Sequence, residues 1–148
     1  MHIVIADQLP SSAVELLRSV PGWTVDARSG RSAEELTRDL ATADALVVRS
    51  ATKVTAPIIS AAPQLKAIAR AGTGVDNVDV PAATDRGIVV MNAPGANSIS
   101  VAELSMAFML SLARMIPTAD ASMKGGVWEK KKLTGVELRG SRRAARHG

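Results

Sequence analysis

The sequence predicts an α/β fold, a parallel sheet flanked by helices. Three observations predict it. Short apolar runs of four or five residues recur along the first ninety positions, each closed by a polar or breaking residue. Between them lie segments with helical spacing and recognisable starts and stops. Hydrophobic residues make up 47% of the 148 positions and aromatics only 2%, so the core is aliphatic, as buried parallel strands require. A chain of this length can bury one sizeable core.

The first strand is His2-Ile3-Val4-Ile5-Ala6, broken by Asp7 and Pro10. Ser12 and Glu15 have capping-box spacing, and Val14, Leu16, Leu17 and Val20 follow as an apolar helix face until Pro21-Gly22. Trp23-Thr24-Val25 opens the second strand. Ser32 and Glu35 form a second capping box, with Leu36 and Leu40 as the buried side of that helix. The third strand, Ala45-Leu46-Val47-Val48, ends at Arg49-Ser50. Thr55 and Pro57 open a short helix as cap and first-turn proline. The fourth strand, Leu65-Lys66-Ala67-Ile68-Ala69, runs into Arg70-Ala71-Gly72-Thr73-Gly74, and the helix after it ends at Gly87. The fifth is Ile88-Val89-Val90-Met91. This βαβα rhythm predicts a parallel sheet with helices on both faces.

After Asn92-Ala93-Pro94-Gly95-Ala96-Asn97-Ser98, the pair Ser100 and Glu103 reads as a third cap, opening a long apolar helix that runs to about Arg114. It is apolar nearly all round, which predicts burial on most sides or packing against a partner. A smaller helix over residues 118–124 and a basic loop follow. From Ser141 the composition turns to Ser-Arg-Arg-Ala-Ala-Arg-His-Gly, with nothing apolar to pack, so residues 141–148 are expected to be a disordered basic tail.

The net charge is +4, yet residues 124–148 hold eight Lys or Arg against two Glu, which leaves the rest of the chain at −2. The basicity belongs to the tail, and no aromatic interleaving accompanies it, so no nucleic-acid partner is expected. Without cysteine there is no disulfide framework and no thiolate metal site. Asp7 interrupts the opening apolar run, so no signal pattern forms, and the apolar stretch 104–113 is too short to span a bilayer. A cytoplasmic protein with no membrane partner is the expectation.

In parallel α/β sheets, ligands bind beyond the carboxyl ends of the strands. Three such ends carry suitable groups. The third strand gives Arg49 and Ser50, the fourth gives Arg70 with the Gly72-Thr73-Gly74 amides, and the fifth leads to Asn97 at a helix start. Two guanidiniums, amide N–H groups and a carboxamide suit a small carboxylate or phosphate. Taken singly, each arginine also reads as a surface charge, and Ser50 and Asn97 as turn or cap residues. Gly72-x-Gly74-x-x-Asn77 lacks the third glycine of a dinucleotide fingerprint. His2 lies at the terminus and His147 in the tail, so neither is placed as a general base, and no catalytic residue is assigned. Asp76 and Asp79 have the chemistry of metal ligands, but their position before a helix favours capping, and no metal site is expected.

Three segments, taken in order, carry a resemblance. Residues 48–55 (Val-Arg-Ser-Ala-Thr-Lys-Val-Thr), residues 70–79 (Arg-Ala-Gly-Thr-Gly-Val-Asp-Asn-Val-Asp) and residues 92–98 closely resemble the D-3-phosphoglycerate dehydrogenases, of the D-isomer-specific 2-hydroxyacid dehydrogenase family. Residues 119–131 and 135–140 fit as well, so the likeness covers about residues 1–140. The resemblance implies an oxidoreductase that converts 3-phospho-D-glycerate to 3-phosphohydroxypyruvate with NAD, opening serine biosynthesis. It implies a flavodoxin-like unit over residues 1–97, forming the N-terminal part of a substrate-binding domain. Residues 98–140 would be the helix crossing into the nucleotide-binding domain, with a homodimer formed through the helix that starts near residue 98. Arg49, Ser50, Arg70, Ala71, Gly72 and Asn97 match positions that hold the anionic substrate, and Thr73 a position touching the cofactor.

The resemblance also implies what should come next. The family continues past Gly140 with a strand and a Gly-x-Gly-x-x-Gly loop, and later supplies catalytic Arg, Glu and His. The tail found here matches none of this. The expectation is a fragment, from a truncated or frame-shifted reading frame, that supplies the substrate-anion site and is inactive alone. The alternative is a non-catalytic small-anion-binding module, or a dimerisation partner of the full-length enzyme.

Overall fold

The computed structural model describes residues 1–139; the expected tail lies outside them. The chain divides into two compact units, Met1–Ala96 and Asn97–Gly148.

The first unit contains five parallel strands, β1 (His2–Ile5), β2 (Thr24–Ala27), β3 (Ala45–Val48), β4 (Ala67–Arg70) and β5 (Val89–Met91), in the order β2-β1-β3-β4-β5. Four helices connect them: α1 (Ser11–Arg18), α2 (Ala33–Leu40), α3 (Ala56–Ser60) and α4 (Val80–Asp85). Strand order reverses at β1. Right-handed crossovers therefore set α1 on one face and α2, α3 and α4 on the other. The expected α/β architecture is present.

Strand register decides which side chains face which helices. Val4, Leu46, Ile68 and Val90 are cross-strand neighbours in one row. The first three are fully buried against Leu36 and Leu40 of α2, Ile58 and Ile59 of α3, and Ala83 of α4. The alternate rows, Ala45-Ala67-Val89 and Val47-Ala69-Met91, point to the opposite face. There, Val89 and Met91 are about half exposed or more. The two faces of one sheet thus differ in how completely they are covered.

One of the three expected capping boxes forms. The Ser32 hydroxyl accepts from Glu35 N–H at 3.1 Å, and the Glu35 carboxylate accepts from Ser32 N–H at 2.8 Å. The box at Ser12 does not form, because α1 begins at Ser11 after Pro10 and Ser12 is already inside the first turn. Leu16, expected on the buried side, is exposed; the half-buried side of α1 is Ala13, Val14 and Leu17. Thr55 occupies the N-cap position of α3 without a side-chain bond. Asp79 caps α4 as expected, accepting from Ala82 N–H at 3.1 Å.

The second unit holds α5 (Ser98–Ala113) and α6 (Ile116–Lys124), bent by 64° where they join, and one 3-10 turn, Lys130–Lys132. Ser100 does not cap α5, because the helix starts two residues earlier, behind Asn97. No single helix among the described residues is long and apolar enough to cross a membrane; by length and composition alone, the bent pair α5–α6 passes that test together. Gly135 lies against the end of α5, where a Cβ would sit 2.6 Å from the Ala113 carbonyl oxygen, and that oxygen accepts from Val136 N–H at 2.7 Å.

Ile68→Ala removes a side chain with no exposed surface and should lower stability by about 3 kcal/mol, whereas Met91→Ala on the open face should cost under about 1 kcal/mol. Urea denaturation followed by circular dichroism would check both; equal losses would show that the two faces are equally packed.

Candidate functional site

The β2-β1-β3 reversal creates a crevice beyond the carboxyl ends of β1 and β3, where ligands bind in sheets of this type. Asp7 leaves β1 at this point, and Arg49 leaves β3. Asp7 is buried, 7% exposed. Its Oδ2 accepts from Arg49 N–H at 2.6 Å and Thr52 N–H at 3.2 Å, and its Oδ1 accepts from the Thr52 hydroxyl at 2.6 Å. The turn after β3 thus wraps its donors around an internal carboxylate.

Asn77 holds the same turn by its carbonyls. Its Nδ2 donates to Arg49 O at 2.7 Å and Thr52 O at 2.6 Å. Its main chain pairs with the same stretch: Val54 N–H donates to Asn77 O at 2.8 Å, and Asp79 N–H to Val54 O at 2.9 Å. The loops leaving β3 and β4 are therefore fastened together. The loop after β5 joins them: Asn92 Nδ2 donates to Thr73 O at 2.6 Å, and Ala93 N–H to Gly72 O at 2.9 Å.

Against this backbone the expected site residues fall as follows. Register places Val48 opposite Arg70, so Arg49 and the Arg70-Ala71-Gly72 segment leave neighbouring strand ends. Arg49 and Ser50 are exposed, and Arg49 NH1 donates to Gln8 O at 3.3 Å. Arg70 shares the core-facing side of the sheet with Val48, and its side chain is only 12% exposed. Its guanidinium folds over its own turn, donating from NH1 to Gly74 O at 2.8 Å with Asp76 Oδ1 3.6 Å from NH2. Its Nε is buried without a hydrogen-bond partner. A Cβ at Gly72 would lie 3.0 Å from the end of the Arg70 guanidinium, so a larger residue there would push that head aside.

Of the Gly72-Thr73-Gly74 amides expected to face an anion, that of Gly72 is committed to the main chain, as is the neighbouring Ala71 amide. Ala71 N–H donates to Val48 O, and Gly72 N–H to Arg70 O, both at 2.8 Å. Thr73 is exposed on the same turn. Asn97 opens the second unit at the start of α5. His2 begins β1, at the amino-terminal end of the strand and away from these loops, and its Nδ1 lies 3.3 Å from Thr42 O. Among the described residues no group of three metal-ligating side chains occurs.

The turn does not fit a dinucleotide's pyrophosphate. Arg70 already fills the space over Gly72 and Gly74, and the position of a third glycine is Asn77, whose carboxamide is engaged with the neighbouring loop. Two residues that the sequence reading did not place in the candidate site, Asp7 and Asn77, hold the turn after β3. The available signal was an acidic residue directly after the first buried strand.

The comparisons bear on the same loops. A model of the "D-isomer specific 2-hydroxyacid dehydrogenase, catalytic domain" matches residues 3–143. The chain belongs to the D-isomer specific 2-hydroxyacid dehydrogenase family. Within that family it is 52% identical over 140 residues to the D-3-phosphoglycerate dehydrogenase of Archaeoglobus fulgidus, covering 95% of this chain and 26% of the relative. The human D-3-phosphoglycerate dehydrogenase is 50% identical over 138 residues, covering 93% and 26%. The chain thus spans about a quarter of the length of these curated 2-hydroxyacid dehydrogenase relatives. Among solved structures, a Thermus thermophilus protein matches with a TM-score of 0.82 at 31% identity, over 93% of this chain and 46% of that one. The NAD+-bound 3-phosphoglycerate dehydrogenase of Entamoeba histolytica matches with a TM-score of 0.68 at 35% identity, over 77% and 39%.

Burial alone would push the Asp7 carboxyl up, but the Thr52 hydroxyl and the Arg49, Thr52 and Ala51 backbone N–H groups outweigh it and hold it below its ordinary value. Asp39 is lowered first by its hydrogen bond from Arg31, and Asp44 by that from Lys66. A folded-state value below the unfolded one means stability that is present above the ordinary carboxylate range and lost as pH falls through the depressed value. Stability should therefore hold near neutrality and decline below about pH 4. Asp7→Asn should be less stable at pH 7 and show a shallower acid decline. Urea midpoints between about pH 3 and 7 would measure this, and parallel curves for the two proteins would remove Asp7 from the account.

Proposed function

We propose that this chain is the substrate-anion side of a D-3-phosphoglycerate dehydrogenase, acting on 3-phospho-D-glycerate. The observation that carries the reading is the pair of guanidinium-bearing strand ends, Arg49 and Arg70, leaving neighbouring strands at a rim of fastened loops. The identity to named phosphoglycerate dehydrogenases supports this choice of substrate within the family.

In this reading residues 1–97 are a flavodoxin-like part of a substrate-binding domain. Arg49 and Arg70 attract the carboxylate and phosphate, Ser50, Ala71 and Gly72 line them, and Asn97 supplies a carboxamide at the start of α5. The buried Nε–H of Arg70, without a partner, is a donor that an anion would satisfy. NAD is the cofactor of the proposed parent reaction, and Thr73 is the residue here that would meet it. No residue of this chain is assigned the proton transfer, and His2 lies at the opposite, amino-terminal end of β1. The isolated chain is therefore expected to be inactive. Residues 98–140 would supply the crossover and dimerisation helix and the start of a nucleotide-binding domain, in the cytoplasm, with no nucleic-acid or membrane partner.

A second reading is favoured by α5 itself. Ile99, Leu104, Phe108 and Leu112 are each more than half exposed, an unusual load of apolar surface for one helix. It favours the part of the alternative in which the chain is a dimerisation partner of the full-length enzyme, rather than a non-catalytic small-anion-binding module.

The purified chain should give no NAD reduction with 3-phosphoglycerate, and turnover above background would refute the inactive-fragment reading. Titration calorimetry should show 3-phosphoglycerate binding that Arg49→Gln and Arg70→Gln each weaken by about tenfold or more, the scale of a lost charge-assisted hydrogen bond. Sedimentation should find a dimer that Phe108→Glu dissociates. A native chain that sediments as a monomer would remove α5 as a dimer contact.

A further inference from the structure

Resting on the anion reading above, we infer that Asp7 and Asn77 are positioning residues, which together set how Arg49 and Ser50 are presented to the ligand. Both act on one turn, and both act on its two end residues. Asp7 takes the N–H groups of Arg49 and Thr52, and Asn77 gives to the carbonyls of the same two residues. Ser50 and Ala51 lie between the gripped positions. Donors and acceptors of one short segment are thus tied down by a carboxylate on one side and a carboxamide on the other.

Two details argue that this arrangement does more than fill a loop. The Arg49 guanidinium does not pair with Asp7, although Asp7 bonds to its backbone at 2.6 Å; it reaches Gln8 O instead, so the clamp leaves the cation exposed. The Asn77 Oδ1 is buried without a hydrogen-bond partner, so this side chain contributes only its donors, and both go to the turn. A donor-only task explains a carboxamide where a carboxylate would set oxygen against two carbonyls. Ordering a residue costs backbone entropy, and a turn already fixed spares the ligand that cost.

The experiment compares native chain, Arg49→Gln, Asn77→Ala, Asp7→Asn, Thr52→Val and Thr52→Ser. Each is titrated with 3-phosphoglycerate and with inorganic phosphate, and hydrogen exchange is followed at the Arg49, Ser50 and Thr52 amides and at those of Leu46 and Ile68. Asn77→Ala and Thr52→Val should speed exchange in the turn, leave Leu46 and Ile68 protected, and weaken 3-phosphoglycerate binding by about tenfold. Thr52→Ser, which keeps the hydroxyl bond to Asp7, should bind as the native chain does. If Asn77→Ala and Thr52→Val loosen the turn yet bind at native affinity while Arg49→Gln does not, the clamp has no positioning role and the anion reading stands. If Arg49→Gln binds as well as the native chain, the anion reading falls and the inference goes with it. Should Asp7→Asn fail to fold, the Asn77 and Thr52 variants decide the matter alone.

Discussion

The carboxylate of Asp7 is the constraint on which the candidate site depends. A buried charge is tolerated only where hydrogen bonds replace the water it gave up. Asp7 finds them in the turn after β3, at Arg49 N–H and at both donors of Thr52. That requirement places the turn, and the turn places Arg49 and Ser50. The dependence runs from a solvation problem in the first strand to a cationic rim forty residues later. Asn77 extends it to the loop after β4, and Asn92 to the loop after β5. Four strand ends are thus tied into one row by side chains that touch no ligand in the proposed reading.

Arg70 shows the same logic from the other direction. Register puts it beside Val48 on the face that packs against α2, α3 and α4, so its stem lies in the core and its head cannot extend freely. The head turns over Gly72 and Gly74; a Cβ at Gly72 would crowd the guanidinium at 3.0 Å, and one at Gly74 would meet Asp76 Oδ1 at 2.9 Å. What looked like a phosphate cradle made of glycine amides is, in this conformation, a glycine floor under an arginine. In the proposed reading the segment would draw an anion through the guanidinium more than through the main chain, whose Ala71 and Gly72 donors are already used.

The sheet was legible because its signals are local: an aliphatic run, a breaker, and a helix pattern repeat within each unit. Asp79 as a cap and Ser32–Glu35 as a box were legible for the same reason. Helix starts read from Ser-x-x-Glu spacing alone failed at Ser12 and Ser100, because a hydroxyl can cap only from outside the first turn, and α1 and α5 both begin earlier. Leu16 departs from the expected face because positions 14 and 17 share a side of the helix and 16 does not. The clamp was illegible for a different reason. Its bonds join residues 7, 49, 52 and 77, and no spacing rule links positions so far apart. Only the sheet order, which sets β1 beside β3 and β3 beside β4, brings them together.

The two units pose opposite physical problems. In the first, nearly every core-facing position between sheet and α2, α3 and α4 is closed, and stability follows from aliphatic packing. In the second, no described residue of α5 or α6 is buried, and the helices are held by their own backbone bonds and by contacts such as that of Gly135 with Ala113. Isolated helices of nine to sixteen residues are marginal in water unless an apolar face is covered. The exposed side chains of α5 therefore create a pressure toward association that the first unit does not share. Loops fastened to a closed core hold their shape without a ligand, so the anion site proposed on the first unit would be preformed, whereas the apolar side chains of α5 are exposed.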